Sequence, residues 1–296
     1  MSQGSTINVQ KRILLAVMLL LMSIGLVPTS GQAEVFRLAI LHGDVDVFDY
    51  EIGVVKLALE HADGDHQLEL VLLQGTPQDR LLLLMEEGRE INVFFTGHSP
   101  ERERQYLQVD FPMTRGLLGN RIFITRPDVV PALSRVKTLD DLKEFAVGSG
   151  TDWPDTKVFR ENGFNVVASS YANLWNMLEN NRFDIFNRGL HEAFVEIKQQ
   201  QAKGRDLVID QTVQVIYPFD YFLYVNRDDH VRRDILQQGL ERAQKNGAFD
   251  AYFNNHPMIK QVLEDSKVTK RTQFVIGNPG MSQRLLDLPA EYWQVF

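Results

Sequence analysis

The chain has 296 residues, with 31 Lys and Arg against 39 Asp and Glu (formal net charge −8), and it contains no cysteine. The missing cysteine excludes a disulfide framework, a thiol nucleophile, a Cys-ligated metal and an N-terminal lipid-modified Cys, so core burial alone has to hold the fold. The acidic balance argues against a general nucleic-acid or anionic-membrane binder, while leaving room for a local basic pocket.

Residues 1–33 read as a leader. Lys11 and Arg12 precede an apolar run from Ile13 to Val27, Pro28 breaks it, and Gly31-Gln32-Ala33 supplies a small-x-small site. That order is the pattern of a secretory signal peptide, with cleavage expected after Ala33. The run is shorter than the roughly 20 residues a spanning helix needs. The length that remains suits two lobes, each with its own core.

Val35–Leu41 reads as a strand, Asp49–His61 as a helix with an apolar face, and Leu68–Leu73 as a second strand. Thr76-Pro77 has the arrangement of an N-cap followed by a first-turn proline, opening a helix that ends at Gly88. Ile91–Phe95 is a third strand, and this alternation predicts a parallel sheet with helical crossovers. A basic segment follows, carrying Arg102, Arg104, Arg115, Arg121 and Arg126, and Leu117–Thr125 reads as a strand entered through Gly116 and Gly119. After Pro127 and Pro131 the pattern restarts: strands at Phe145–Gly148, Val166–Ala168 and Phe183–Phe186 alternate with helices at 156–162, 171–181 and 191–201. Val208–Ile216 leads through Pro218 to Tyr221–Asn226, a second crossing between lobes. A long helical region from Asp229 to Phe253 is interrupted at Asn246-Gly247.

This order resembles that of family 3 extracellular solute-binding proteins, the periplasmic type associated with amino-acid ABC transporters. Ser99-Pro100-Glu101-Arg102 running to Val109-Asp110-Phe111 is similar to the family's Thr-Pro-Glu-Arg…Val-Asp-Phe signature. Lys137–Lys143 followed by Ala146–Thr151 resembles its Ser-Leu-Asp-Asp-Leu-Lys…Val-Gly-x-x-Gly-Thr run, Asn181-Arg182-Phe183-Asp184 its Gly-Arg-x-Asp strand entry, and Glu241–Phe253 its C-terminal helix–Gly–helix segment. The resemblance implies an α/β, type II periplasmic-binding-protein-like fold. Residues 34–118 plus 222–296 would form lobe 1, residues 121–218 lobe 2, and Gly116–Asn120 with Tyr217–Tyr221 the hinge. It further implies a periplasmic monomer that captures a small-molecule ligand by hinge closure, with an inner-membrane ABC permease or sensor as partner and no nucleic acid.

In amino-acid binders of this family an Arg after the Pro-Glu pair clamps the ligand carboxylate. Arg102 matches by context, and Arg104 competes because extra residues separate Arg102 from Phe111; a planar guanidinium suits a carboxylate through two parallel N–H bonds. The bland reading is a solvated helix, since charges alternate from Glu101 to Arg104. Thr151 and Asp152 match the segment that donates to the same carboxylate, although Asp152 could instead cap the next helix. The family's acid for the ligand ammonium falls on Gly189, beside Arg188, which implies an acidic or polar non-amino solute; a salt bridge to Glu192 is the other role for Arg188. Thr96 and His98 end a strand at the cleft, where ligands of α/β sheets gather. Phe48, Trp153 and Tyr171 could stack on a ligand or serve the core. His61, Asp63, Asp65 and His66 fit a polar turn better than a metal site, and no cofactor is expected. A nucleophile elbow, a P-loop and the HExxH motif are all missing. The expectation is a binder, with a sensory receptor or a dehydratase-like enzyme on the same fold as rivals.

Overall fold

A computed structural model describes residues 33–266 and 268–293. The expected leader, apart from Ala33, lies outside the described residues. In chain order the elements are β1 (Val35–Ile40), α1 (Asp49–His61), β2 (Gln67–Leu72), α2 (Gln78–Glu87), β3 (Val93–Gly97), α3 (Pro100–Gln105) and β4 (Leu107–Gln108). Then follow β5 (Asn120–Thr125), α4 (Val130–Leu133), α5 (Leu139–Lys143), β6 (Val147–Gly150), α6 (Pro154–Glu161), β7 (Val166–Ser169), α7 (Tyr171–Glu179), β8 (Ile185–Gly189), α8 (Leu190–Ala202), β9 (Val208–Ile209) and β10 (Val213–Ile216). The chain ends with β11 (Tyr221–Val225), α9 (His230–Lys245), α10 (Ala248–Asn255), α11 (Pro257–Asp265), β12 (Thr272–Val275) and α12 (Gln283–Leu286).

Two sheets result, one per lobe. The first has the order β2-β1-β3-β11-β4, with β1 parallel to β2 and β3, and β11 antiparallel to β3 and β4. The second has the order β12-β10-β5-β8-β6-β7, with β9 alongside β5. The chain passes from the first sheet to the second between β4 and β5 and returns between β10 and β11. β3 and β5 are buried along their whole length, which accounts for their near-continuous apolar character. Gly97 at the end of β3, Trp153 just past β6 and Arg188 near the end of β8 line a common space between the lobes.

Several elements depart from the expected ones. Leu117–Gly119 forms a 3-10 turn ahead of β5, and the 208–216 run splits into β9 and β10 around Asp210, whose carboxylate accepts the Thr212 and Val213 N–H groups. α2 begins at Gln78 with Pro77 in the extended N-cap conformation, so Thr76 is not its cap. Residues 222–296 do not stay wholly with the first lobe, because β12 pairs in parallel with β10 from Val213↔Thr272 to Ile216↔Val275. Gly116 sits at φ +87, in the left-handed region that glycine reaches without a steric cost. Gly119 serves differently: a Cβ there would stand 2.1 Å from the Tyr217 carbonyl oxygen, so the two crossings touch because it has none. Asp220 joins them further, its carboxylate accepting the Thr114 N–H (2.9 Å), the Thr114 hydroxyl (2.9 Å) and the Gly116 N–H (2.5 Å).

Candidate functional site: the interlobe cleft

On the first lobe, α3 starts at Ser99, whose hydroxyl accepts the Arg102 N–H (3.2 Å), and Pro100 stands in the first turn. This start turns Arg102 inward. Its Nη1 donates to Thr96 Oγ1 (2.7 Å) and the Gly97 carbonyl (2.9 Å), and its Nη2 donates to Gln78 Oε1 (3.0 Å). Nη2 also crosses to the second lobe, donating to the Asp152 carbonyl (3.0 Å). The Asp152 carboxylate answers in the other direction by accepting the Asp79 N–H (3.3 Å) at the start of α2. Asp152 therefore faces a helix of the opposite lobe, while Trp153 holds the N-cap position of α6.

Thr96, Arg102 and Asp152 are thus brought together. His98 is buried beside them, its ring nitrogens 3.0 Å from Gln108 Oε1 and 3.1 Å from the Gly280 carbonyl, so it ties β3 to the C-terminal loop. Two expected residues lie outside the cluster. Arg104 is 68% exposed and pairs with Glu101 at 3.7 Å, as the alternating-charge reading of this helix anticipates. Thr151 is exposed, and its backbone N–H donates to the Ser169 carbonyl.

The deeper half of the cleft is built around Arg188, at the end of β8. Its Nε and Nη2 donate to the two Glu196 oxygens (2.5 and 2.7 Å), and Nη2 lies 3.0 Å from Glu192 Oε2. The carbon of the guanidinium stands 4.8 Å from the Trp153 ring centroid, 5.7 Å from Tyr171 and 5.4 Å from Phe186. Tyr171 donates to Glu196 (2.8 Å) and carries the His42 ring stacked upon it at 3.9 Å, His42 coming from the first lobe. Phe48 packs on Phe95 in the first-lobe core. A second buried arginine, Arg121, pairs with Asp155 and donates to Asn187 Oδ1 (3.0 Å), and the Tyr217 hydroxyl completes Asp155 (2.5 Å).

These charges are matched inside the site. Burial alone would raise the Glu192 carboxyl, but Arg188, His191 and Arg121 outweigh it and hold the pKa at about 2, so Glu192 is ionised. Burial, and then Arg188, push His42 down to about 4, so this ring is neutral at pH 7. The lobes meet through further side-chain contacts: the Tyr221 hydroxyl donates to Glu192, His191 Nε2 lies 2.9 Å from Glu51 Oε1, and Gln199 Nε2 donates to Asp44 Oδ1 (3.3 Å). The space left in the deeper half of the cleft, at Arg188 and Glu192, is about 20 Å³, room for one water molecule, whereas about 410 Å³ is open at Arg102, Asp152 and Trp153.

Sequence reasoning weighed Glu192 as the partner of Arg188, as the structure has it, and missed Arg121, Asp155, Glu196 and His42 as cleft residues. Arg121 had a signal: a single charge within a strand buried along its whole length requires a buried partner. Glu192 and Glu196 stand four apart on α8, hence on one helical face, and that face is turned toward Arg188.

No protein-family model matches the chain, and no curated protein matches it. Solved structures share its fold. The substrate-binding protein of an amino acid ABC transporter superposes with a TM-score of 0.53 at 13% identity, covering 74% of this chain and 97% of that one. A histidine kinase sensor domain with similarity to periplasmic binding proteins gives 0.53 at 15% identity, covering 75% and 95%. The ancestral amino acid-binding protein that is a precursor of cyclohexadienyl dehydratase gives 0.54 at 12% identity, covering 74% and 93%. The architecture is accordingly that of periplasmic binding proteins, two α/β lobes joined by two crossings.

Proposed function

We propose that the chain is an exported, monomeric solute-binding protein that captures a small polar solute between its lobes and presents the closed form to an inner-membrane ABC permease. The observation that carries this reading is the meeting of both lobes through charged and aromatic side chains at strand and helix ends: Arg102 with Asp152, Tyr221 with Glu192, and His42 on Tyr171. A solute touching both halves favours the closed state, and its binding is read out as a shift in the open–closed population. The leader would place the protein in the periplasm. No described helix is long and apolar enough to cross a membrane.

The structure redirects the expected ligand chemistry. The sequence implies an acidic or polar non-amino solute, because the family's acid falls on Gly189 beside Arg188; Arg188 pairs with Glu192, its other expected role, and with Glu196, and Arg121 pairs with Asp155, which supports a solute carrying both signs. With about 20 Å³ free around Arg188, a solute reaches this ion-pair set while the lobes are parted and takes over part of it. A molecule carrying charges of both signs can substitute for both partners of a pair, whereas a simple anion leaves a buried carboxylate unmatched. We therefore assign a zwitterionic solute, with Arg102, Thr96 and Asp152 at one end and Arg188, Glu192 and Trp153 at the other. A sensory receptor is the second reading, supported by the Glu51–His191 and Tyr221–Glu192 contacts, which hold the lobes together from within the chain.

The test is native mass spectrometry of the purified protein, followed by a thermal-shift panel of amino acids, organic acids and small phosphates. A co-purifying zwitterion, or stabilisation by zwitterions without turnover, supports the reading. Product formation assigns the protein to the dehydratase class, and stabilisation by simple anions alone overturns the ligand class.

A further inference from the structure

The C-terminal segment makes a further connection between the lobes. α11 packs on α10 of the first lobe and on α8 of the second, and β12 then joins the second sheet as an edge strand beside β10. Arg271 fixes the entry to β12 from a buried position, donating to the carbonyls of Ser266 (2.8 Å), Asp210 (2.7 Å) and Val213 (3.0 Å). By Gly280 the chain is back on the first lobe. The Gly280 carbonyl lies 3.1 Å from His98 Nε2, and Arg284 of α12 donates to Glu103 (2.6 and 2.9 Å) and to Asp110.

The stretch between is short and fastened at both ends. The Ile276 N–H donates to the Ile216 carbonyl (3.0 Å), and Asn162, at the end of α6, donates to the Gly277 carbonyl (2.8 Å), so Gly277 belongs to the second lobe. From Gly277 to Gly280 an extended chain gains at most ~3.3–3.6 Å per residue, so these two anchors can stand no more than about 10 Å apart. Asn278 folds the stretch into a turn, its Oδ1 accepting the Gly280 N–H (3.0 Å) and its carbonyl the Met281 N–H (3.1 Å). It also donates to the Pro218 carbonyl in the second crossing (2.8 Å). Asn278 and Gly280 line the open mouth of the cleft together with Arg102, Asp152 and Trp153, so this link runs along the side on which the lobes part.

We propose that residues 277–280 are a tether across the mouth that limits how far the cleft opens, so that solute exchanges through a restricted gap for as long as both anchors hold. The proposal rests on the hinge-closure reading above and adds a stop to that motion. Two backbone crossings alone leave the lobes free to rotate about them. A third link at the mouth removes the part of that rotation that would stretch it beyond its contour length.

The experiment measures interlobe distance in the full chain without added solute. Because the chain has no cysteine, Arg80→Cys on α2 and Arg160→Cys on α6, both exposed, give two unique spin-label sites for pulsed electron resonance. Inserting Gly-Ser-Gly-Ser after Gly277, where a Cβ would meet nothing within 4 Å, lengthens the tether. The four residues add up to about 13 Å of reach, and the labels should then populate separations at least ~5 Å longer than with the native tether. Arg284→Gln, which removes the bonds to Glu103 and Asp110, should shift the distribution in the same direction by less. Arg205→Gln, which removes an ion pair internal to the second lobe, should leave it unchanged. Circular dichroism identifies which variants fold. The tether is excluded by an unchanged distribution in either folded tether variant, or by equal widening in Arg205→Gln. Thermal shift with glutamine, arginine and glutamate tests the solute-binding reading separately: if none binds while the insertion widens the distances, the tether stands and that reading fails.

Discussion

His191 Nε2 and Glu51 Oε1 stand 2.9 Å apart, both side chains are wholly buried, and the two residues belong to opposite lobes. Burial works against the imidazolium, but the hydrogen bond and charge of Glu51, with Glu192 and Asp220 nearby, raise the His191 pKa above its ordinary 6.5. A raised histidine contributes stability that is fully present below the unfolded pKa and is lost as pH rises through the folded one. Urea unfolding followed from about pH 6 to about pH 9 should show declining stability over this window. Glu51→Gln should flatten the decline, and a slope unchanged in that variant would show that His191 does not cause it.

Arg188 is held by two carboxylates that cannot be left alone. Arg188→Ala strands Glu192 and Glu196 in the interior and should cost about 3–5 kcal/mol at neutral pH. The loss should shrink as pH falls toward about 4, where the unfolded chain's own carboxylates begin to take up protons. Arg188→Lys keeps the charge but cannot make the paired bonds to Glu196, so its cost should fall between wild type and alanine. Denaturant midpoints of the three proteins at neutral and acid pH provide the check; equal stability of Arg188→Ala and wild type would remove Arg188 from the role of cleft keystone.

Asp220 ties the two hinge crossings, and its titration should be visible in stability. Burial pushes its carboxyl from 3.8 up to about 7, against the downward pull of the Gly116 and Thr114 hydrogen bonds. Between those values the folded chain binds a proton that the unfolded chain has released, so stability falls as pH rises from about 4 to about 7, by at most ~1.4 kcal/mol per pH unit. Asp220→Asn should remove this slope. It should also cost about 1–3 kcal/mol, because an amide nitrogen placed toward the Gly116 N–H sets two donors against each other. A stability curve of the same shape in wild type and variant would exclude Asp220 as its source.

The fold was legible in the sequence because its cause is periodic. Alternating apolar runs and amphipathic stretches mark β1–α1–β2–α2–β3 and then the restart after Pro131, which is enough to specify two α/β lobes. β12 was not legible, since Thr272–Val275 is mostly exposed and its parallel pairing with β10 depends on a contact about 60 positions away in sequence. In the site, Arg102 and Asp152 could be found from local context, while Arg104 differs from Arg102 only by its place on the turn, which sends it to solvent. Arg188 could be located and Glu192 weighed as its salt-bridge partner, but not Glu196 as a second carboxylate upon it. That depends on α8 turning both back onto the strand end, a tertiary relationship without a motif.

The hinge offers a steric test of how closely the two crossings must lie. The Tyr217 N–H donates to the Gly119 carbonyl (3.1 Å), so the crossings are bonded backbone to backbone at this point. A Cβ on Gly119 would stand 2.1 Å from the Tyr217 oxygen and 3.1 Å from the Phe219 nitrogen, and backbone atoms cannot swing aside as a flexible side-chain tip can. Gly119→Ala should therefore separate the crossings and destabilise the chain by about 1–3 kcal/mol or more. Gly116→Ala acts through a different cause, the φ of +87, where the new methyl would meet only the Trp293 ring at 3.3 Å. Its cost is that of a left-handed backbone on a non-glycine residue, about 1–2 kcal/mol. Small-angle scattering should separate the two variants: Gly119→Ala should enlarge the radius of gyration as the lobes lose their relative setting, and Gly116→Ala should leave it unchanged. An unaltered radius in Gly119→Ala would mean that contact between the crossings does not set how the lobes close.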